Sequence, residues 1–128
     1  MGKWIDYVNG AKSKGVMAKT LFMVRMRPIV PLEELGETVP DHLAYQKQLE
    51  EDGILFAAGP LGDDTGEDYS GEGLMIYNVE SIDKAKQVAG QDPMCLAGKK
   101  APEIRPWLLN EGRMTFDIKL SLKSSDLN

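Results

Sequence analysis

The chain has 128 residues, 42% of them hydrophobic and 27% charged, with a formal net charge of −5 and a sequence pI near 4.9. That length and mixture fit one soluble globular domain with its own core, and the acidic balance excludes the basic face through which a nucleic-acid partner gains from counterion release. One cysteine, Cys95, and one histidine, His42, exclude an internal disulfide and a Cys/His metal site. No apolar run approaches the ~18 residues of a membrane span, and the first residues lack a signal-peptide layout, so the expectation is a cytoplasmic protein with no membrane partner.

Residues 1–16 form an N-terminal extension in which Trp4, Val8 and Ala11 recur at helical spacing, interrupted by Gly10 and Gly15, which predicts a short helix. The main α+β domain spans 17–112. Thr20–Arg27 reads as a first strand closed by Pro28 and Pro31. A loop then leads to a helix over Pro40–Asp52, with Pro40 at its first position, Asp41 at the positive end of its dipole and Gly53 just past its end. Its stripe is Val39, Leu43, Gln46 and Leu49, and His42 borders that stripe near the third helical position.

Ile54–Leu61 is short and continuously apolar, as a buried strand would be, and Gly59 and Pro60 end or bend it. The acidic, glycine-rich segment Gly62–Gly73 lacks the ligand order of a calcium loop and reads as a solvated hairpin connection. Gly73–Val79 is the third strand. Ser81 caps a helix running to about Gly90, with Ile82, Ala85, Val88 and Ala89 as its apolar face. Asp92 and Pro93 open a short helical turn to Ala97, and Glu103–Leu109 is the fourth strand. Residues 113–128 form a tail in which Phe116, Ile118, Leu120 and Leu122 alternate, as a fifth strand would.

The order strand, helix, strand, strand, helix, strand builds a ferredoxin-like βαββαβ fold, a four-stranded antiparallel sheet with both helices on one face. Strands two and three are apolar on both sides: Leu74 and Ile76 point one way, and Met75, Tyr77 and Val79 the other. The second face therefore calls for a cover, and the economical one is the same face of a second copy in a homodimer.

Four blocks carry a family resemblance: His42-Leu43-Ala44-Tyr45, the run Gly53 to Leu61, Asp92-Pro93-Met94, and Glu103-Ile104-Arg105-Pro106-Trp107. In this order and spacing they resemble the YCII-related (YciI-like) family over about residues 19–110. The resemblance implies a dimeric α+β barrel with a ligand cleft beside the first helix of the domain. It also implies a working histidine–aspartate pair, matched here by His42 and Asp92. One branch of that family is similar to a dehydrochlorinase of a chlorinated hydroxyhydroquinone, and a similar barrel serves muconolactone isomerases. The N-terminal extension and the tail depart from the family pattern.

An imidazole backed by a carboxylate is a proton shuttle, suited to proton abstraction beside a carbonyl, isomerisation or elimination, with no metal and no redox cofactor required. Tyr45 and Gln46 follow His42 by three and four residues and share its side of the helix. With Gly59 and Pro60 they are candidates to line a substrate cleft. Arg25, Arg27 and Arg105 are the candidate anion binders, since strands one and four adjoin in this topology, and Trp107 is a candidate platform. Each has a structural alternative. His42 could pack against the sheet, Asp92 could be only a helix cap, and Trp107 could belong to the core or to a dimer interface. Cys95 reads as a buried small apolar residue, and Met23, Met26 and Met75 as gap fillers. Two functions stay open: a cofactor-independent lyase, dehydrochlorinase or isomerase acting on a small cyclic anionic metabolite, and a non-catalytic dimeric module that binds such a ligand.

Overall fold

The computed structural model describes residues 2–121. Helix α1 (Trp4–Ser13) precedes strand β1 (Lys19–Pro28). Two short 3-10 turns, Leu32–Glu34 and Gly36–Thr38, feed into helix α2 (Val39–Glu51), followed by strands β2 (Leu55–Gly62) and β3 (Tyr69–Tyr77). Helices α3 (Ile82–Gly90) and α4 (Pro93–Leu96) then lead into strand β4 (Lys100–Leu109). The four strands form one sheet in the order β2-β3-β1-β4, with every pairing antiparallel. This is the ferredoxin-like α+β arrangement that the order of elements predicts.

Alternation along the strands sorts their side chains onto two faces. Phe22, Val24 and Met26 of β1 and Met75 and Tyr77 of β3 pack with Leu49 of α2 and with Ala85, Val88 and Ala89 of α3 in the central core. Ala85, Val88 and Ala89 lie on the apolar face expected for α3, whose start is capped by the Ser81 hydroxyl accepting from the Lys84 N–H at 3.1 Å. The opposite face carries Leu21, Met23, Arg25 and Arg27 of β1, with Leu74 and Ile76 of β3 and Glu103, Arg105 and Trp107 of β4 in register beside them.

The end of α2 fixes where β2 begins. Gly53 sits at φ +74°, the left-handed conformation that glycine adopts without penalty, and there the Gly53 N–H reaches the Glu50 carbonyl at 3.1 Å and the Ile54 N–H reaches the Leu49 carbonyl at 2.9 Å. These two bonds close the helix in a Schellman motif and deliver Ile54 to the core beside Leu49.

Three expectations need correction. Strand β2 is not buried: Phe56 through Pro60 are exposed, because α2 stands away from this edge strand and leaves a gap over it. The α2 stripe is not a core stripe either. Only Leu49 is buried, while Val39 and Leu43 border the same gap. Finally, residues 110–119 have no strand in this chain, and Phe116, Ile118 and Leu120 are exposed. A tail needs an edge strand to pair with, and this one finds none within its own chain; Leu122 lies outside the described residues. No helix among the described residues is long and apolar enough to cross a membrane.

Candidate functional site

The gap between α2 and the β2–β3 hairpin is a cavity of about 720 Å³, a size that accommodates a small organic ligand. Its wall is mostly apolar, with Leu35, Leu43, Phe56, Ala58, Pro60 and Met75 among its lining residues. His42 lies on that wall. Helix α2 begins one residue earlier than Pro40, because the preceding 3-10 turns run straight into it, so His42 is the fourth helical residue and Pro40 the second.

The His42 ring meets Asp92, with Nδ1 at 2.9 Å from Oδ1 and 2.8 Å from Oδ2. A carboxylate at this distance accepts, so the network assigns the Nδ1 proton to the His42 side and leaves Nε2 as the nitrogen available for chemistry. Asp92 is fully buried and is also the N-cap of α4, where Oδ1 accepts from the Met94 N–H at 2.9 Å. Asp92 thus caps α4 and hydrogen-bonds His42 at once. A carboxylate fixed by a backbone N–H can hold an imidazole with little motion of its own.

The charge of Asp92 is felt around it. Burial first, and Asp92 second, push the phenols of Tyr45 and Tyr77 above their ordinary range and raise the Cys95 thiol to about 11. All three groups therefore stay protonated at neutral pH, although Cys95 is half-buried and not the fully buried residue expected from sequence. Cys95 Sγ lies 3.6 Å from Met26 Sδ.

A family model, that of the YCII-related domain, matches residues 18–108. The chain belongs to this family. No curated protein matches it. Among solved structures, this YCII-related chain is similar to a 5-chloro-2-hydroxyhydroquinone dehydrochlorinase from Burkholderia phenoliruptrix, determined in complex with 2,5-dihydroxybenzoquinone. The two share 24% sequence identity over 68% of this chain and 92% of that one, with a TM-score of 0.55, which establishes a common fold.

The expected site residues divide between the two faces of the sheet. His42, Gln46, Gly59 and Pro60 line the cavity, and Asp92 touches its histidine. Tyr45 does not line it; its hydroxyl donates to the Val88 carbonyl at 2.6 Å and ties α2 to α3. Arg25, Arg27, Arg105 and Trp107 lie across the sheet, away from the helices. Arg25 Nε donates to Glu72 at 2.6 Å and Arg105 lies 3.9 Å from Glu103, so two of the three arginines are partnered within the sheet. Trp107 is 41% exposed there, opposite Leu21 of β1.

Sequence reasoning missed Lys100, Tyr69 and Met94 on the cavity wall. Strands β3 and β4 begin four and three residues before the points where the apolar pattern makes them visible, and Tyr69 and Lys100 are their first residues. Among the described residues no group of three or more metal-ligating side chains occurs. The acidic loop folds on itself, with Asp63 accepting from the Thr65 hydroxyl at 2.6 Å and from the Gly66 N–H at 3.1 Å.

Proposed function

We propose that this YCII-related protein is a cofactor-independent enzyme of the lyase, dehydrochlorinase or isomerase type, acting on a small cyclic, anionic metabolite by acid–base chemistry. The observation that carries this reading is the His42–Asp92 pair set in the wall of an apolar cavity large enough for a six-membered ring. His42 Nε2 takes a proton from a carbon next to a carbonyl. The electron pair of the broken C–H bond moves into the ring as an enolate, and the positive charge gained by the imidazole is balanced by Asp92. The enolate then either expels a leaving group such as chloride or is reprotonated by the imidazolium at another carbon. The first outcome is elimination and the second isomerisation. Asp92 keeps the ring oriented throughout, and the apolar wall excludes the water that would otherwise solvate the enolate.

The working unit in this reading is a homodimer through the sheet face opposite the helices. Its support is the composition of that face, where Met23 and Leu74 are only half-buried and Trp107 is exposed in a single chain.

The test is turnover by purified protein of hydroxylated and chlorinated hydroxyquinols and of unsaturated lactones, with chloride release from 5-chloro-2-hydroxyhydroquinone as the first assay. On any substrate so found, His42→Ala lowers kcat/KM by about 10²-fold or more, the share that general acid–base catalysis supplies, while His42→Gln keeps the fold and loses the chemistry. Full activity in His42→Ala would remove the histidine from the chemistry, and no turnover of any of these compounds by the wild type would leave the non-catalytic binding module as the better account.

A further inference from the structure

Proton transfer by His42 and Asp92 leaves two polar groups on the cavity wall without employment. Lys100, the first residue of β4, is only 7% exposed, yet it has no ion pair and no hydrogen-bond partner among the described residues. Its neighbour Lys99 behaves differently, lying 3.8 Å from Glu37. Asp92, engaged by His42 and the Met94 N–H, makes no ion pair with Lys100. Glu50, also on the cavity wall, is exposed. The stem of Lys100 is buried but its Nζ is not closed off from solvent, so an ammonium with no ion-pair partner ends at the open cavity, where an incoming anion can reach it. The second group is Gln46, whose side-chain oxygen is buried on the same wall without a donor.

We infer that Lys100 and Gln46 select the ligand: the ammonium binds an oxyanion on the substrate ring, and the Gln46 amide turns its unsatisfied oxygen out of the wall to accept from a hydroxyl on the same molecule. The ligand class is then a small hydroxylated cyclic compound carrying one anionic oxygen group, its apolar body against Met75, Phe56 and Pro60. The inference rests on reading the cavity as the substrate cleft, and it gives the anion specificity to a lysine on the helix side of the sheet in place of the three arginines across it.

Three ring compounds serve as probes in isothermal titration calorimetry: 4-hydroxybenzoate, its neutral isostere 4-hydroxybenzamide, and benzoate, which lacks the hydroxyl. The wild-type chain binds 4-hydroxybenzoate about tenfold or more tighter than either of the others, the yield of one charge-assisted hydrogen bond and one neutral bond to an otherwise unpaired group. Lys100→Met abolishes the preference for the acid over the amide, Lys100→Arg retains most of it, and Gln46→Leu removes only the preference for the hydroxyl. Thermal melting separates this role from a structural one: Lys100→Met does not lower the melting temperature, because the ammonium has no ion pair to lose and the volume of the stem is kept. A wild-type protein that binds no 4-hydroxybenzoate at millimolar concentration overturns the inference. So does one that fails to distinguish acid from amide, or a Lys100→Met variant that melts lower and keeps the preference. Because binding is read without turnover, an active His42→Ala enzyme would end the acid–base reading and leave this one standing.

Discussion

The two faces of the sheet treat charge in opposite ways. Across from the helices, Arg25 is held by Glu72 and Arg105 lies near Glu103, cation beside carboxylate on neighbouring positions of a partly solvated surface. On the helix side, Asp92 is fully buried with a histidine and a backbone N–H as its partners, and Lys100 is buried with none. Arginine fits the first setting because a sheet surface offers carboxylates at cross-strand distance, and such pairs contribute modestly to stability. The second setting costs stability, and a fold retains it where the buried groups act on something that enters. In the reading proposed above, Lys100 of the apolar wall meets the ligand, and the arginines across the sheet do not.

That contrast is broken most severely at Asp92. Asp92→Ala removes the α4 cap, worth about 1 kcal/mol, and strips His42 of its partner. The expected outcome is a lower melting temperature together with an activity loss of about 10²-fold or more per folded molecule, whereas Asp92→Asn keeps much of the cap and loses mainly activity. Parallel melting and turnover measurements decide it. If both variants lose stability but keep activity, Asp92 is a cap alone.

Most of the fold was legible because its signals are local. Pro40 and Gly53 bracket α2, Ser81 and Asp92 cap their helices, and the apolar runs mark the strands. That His42 and Asp92 meet was legible only through the family resemblance, since 50 residues separate them and no local rule pairs them. The arginines misled because strand alternation says which residues share a face but not which face the helices cover; Phe22, Val24 and Met26 claimed the helix side, and Arg25 and Arg27 followed the other parity. Lys100 escaped because a lysine before Ala101-Pro102 looks like loop, and only the pairing of Pro28 with Lys100 extends β4 that far. The exposure of β2 was equally hidden. An apolar run lines a cleft as readily as it fills a core, and the sequence does not state how far α2 stands from the sheet.

The composition of the open face sharpens the comparison at the level of assembly. If a second copy covers Leu74 and Trp107, the protein runs in light scattering at about twice its 14.1 kDa chain mass. Leu74→Glu, which sets a carboxylate in that interface opposite Arg25 and beside Glu72, shifts it towards the monomer, with an affinity loss of about tenfold or more for a charge desolvated at a buried interface. A monomeric, well-folded wild-type chain at micromolar concentration would remove the homodimer. The cavity and its His42–Asp92 pair lie within one chain and would be unaffected.

The smallest effect concerns the Arg25–Glu72 pair, and it is read through pH. The hydrogen bond from Arg25 holds the Glu72 carboxyl below the usual carboxylate range, helped by the charges of Arg25 and Arg27, although partial burial works the other way. A carboxyl whose folded value is depressed binds fewer protons in the native than in the unfolded chain between those two values, so it adds stability above the ordinary range near 4.5. That stability is lost as pH falls through the folded value. Arg25 is shifted in the consistent direction, upward, but titrates too far above neutrality to matter in acid. Glu72→Gln therefore leaves the melting temperature nearly unchanged at pH 7, since exposed pairs are worth little, and flattens its decline between about pH 5 and pH 3. Asp63, depressed chiefly by the Thr65 hydroxyl, loses stability in the same acid window and continues to do so in the variant, so the decline is reduced and not abolished. Melting curves of wild type, Glu72→Gln and Thr65→Ala across that range separate the two contributions. An unaltered slope in Glu72→Gln would mean that the pair on the open face is surface decoration and that its arginine is free to meet a partner's carboxylate instead.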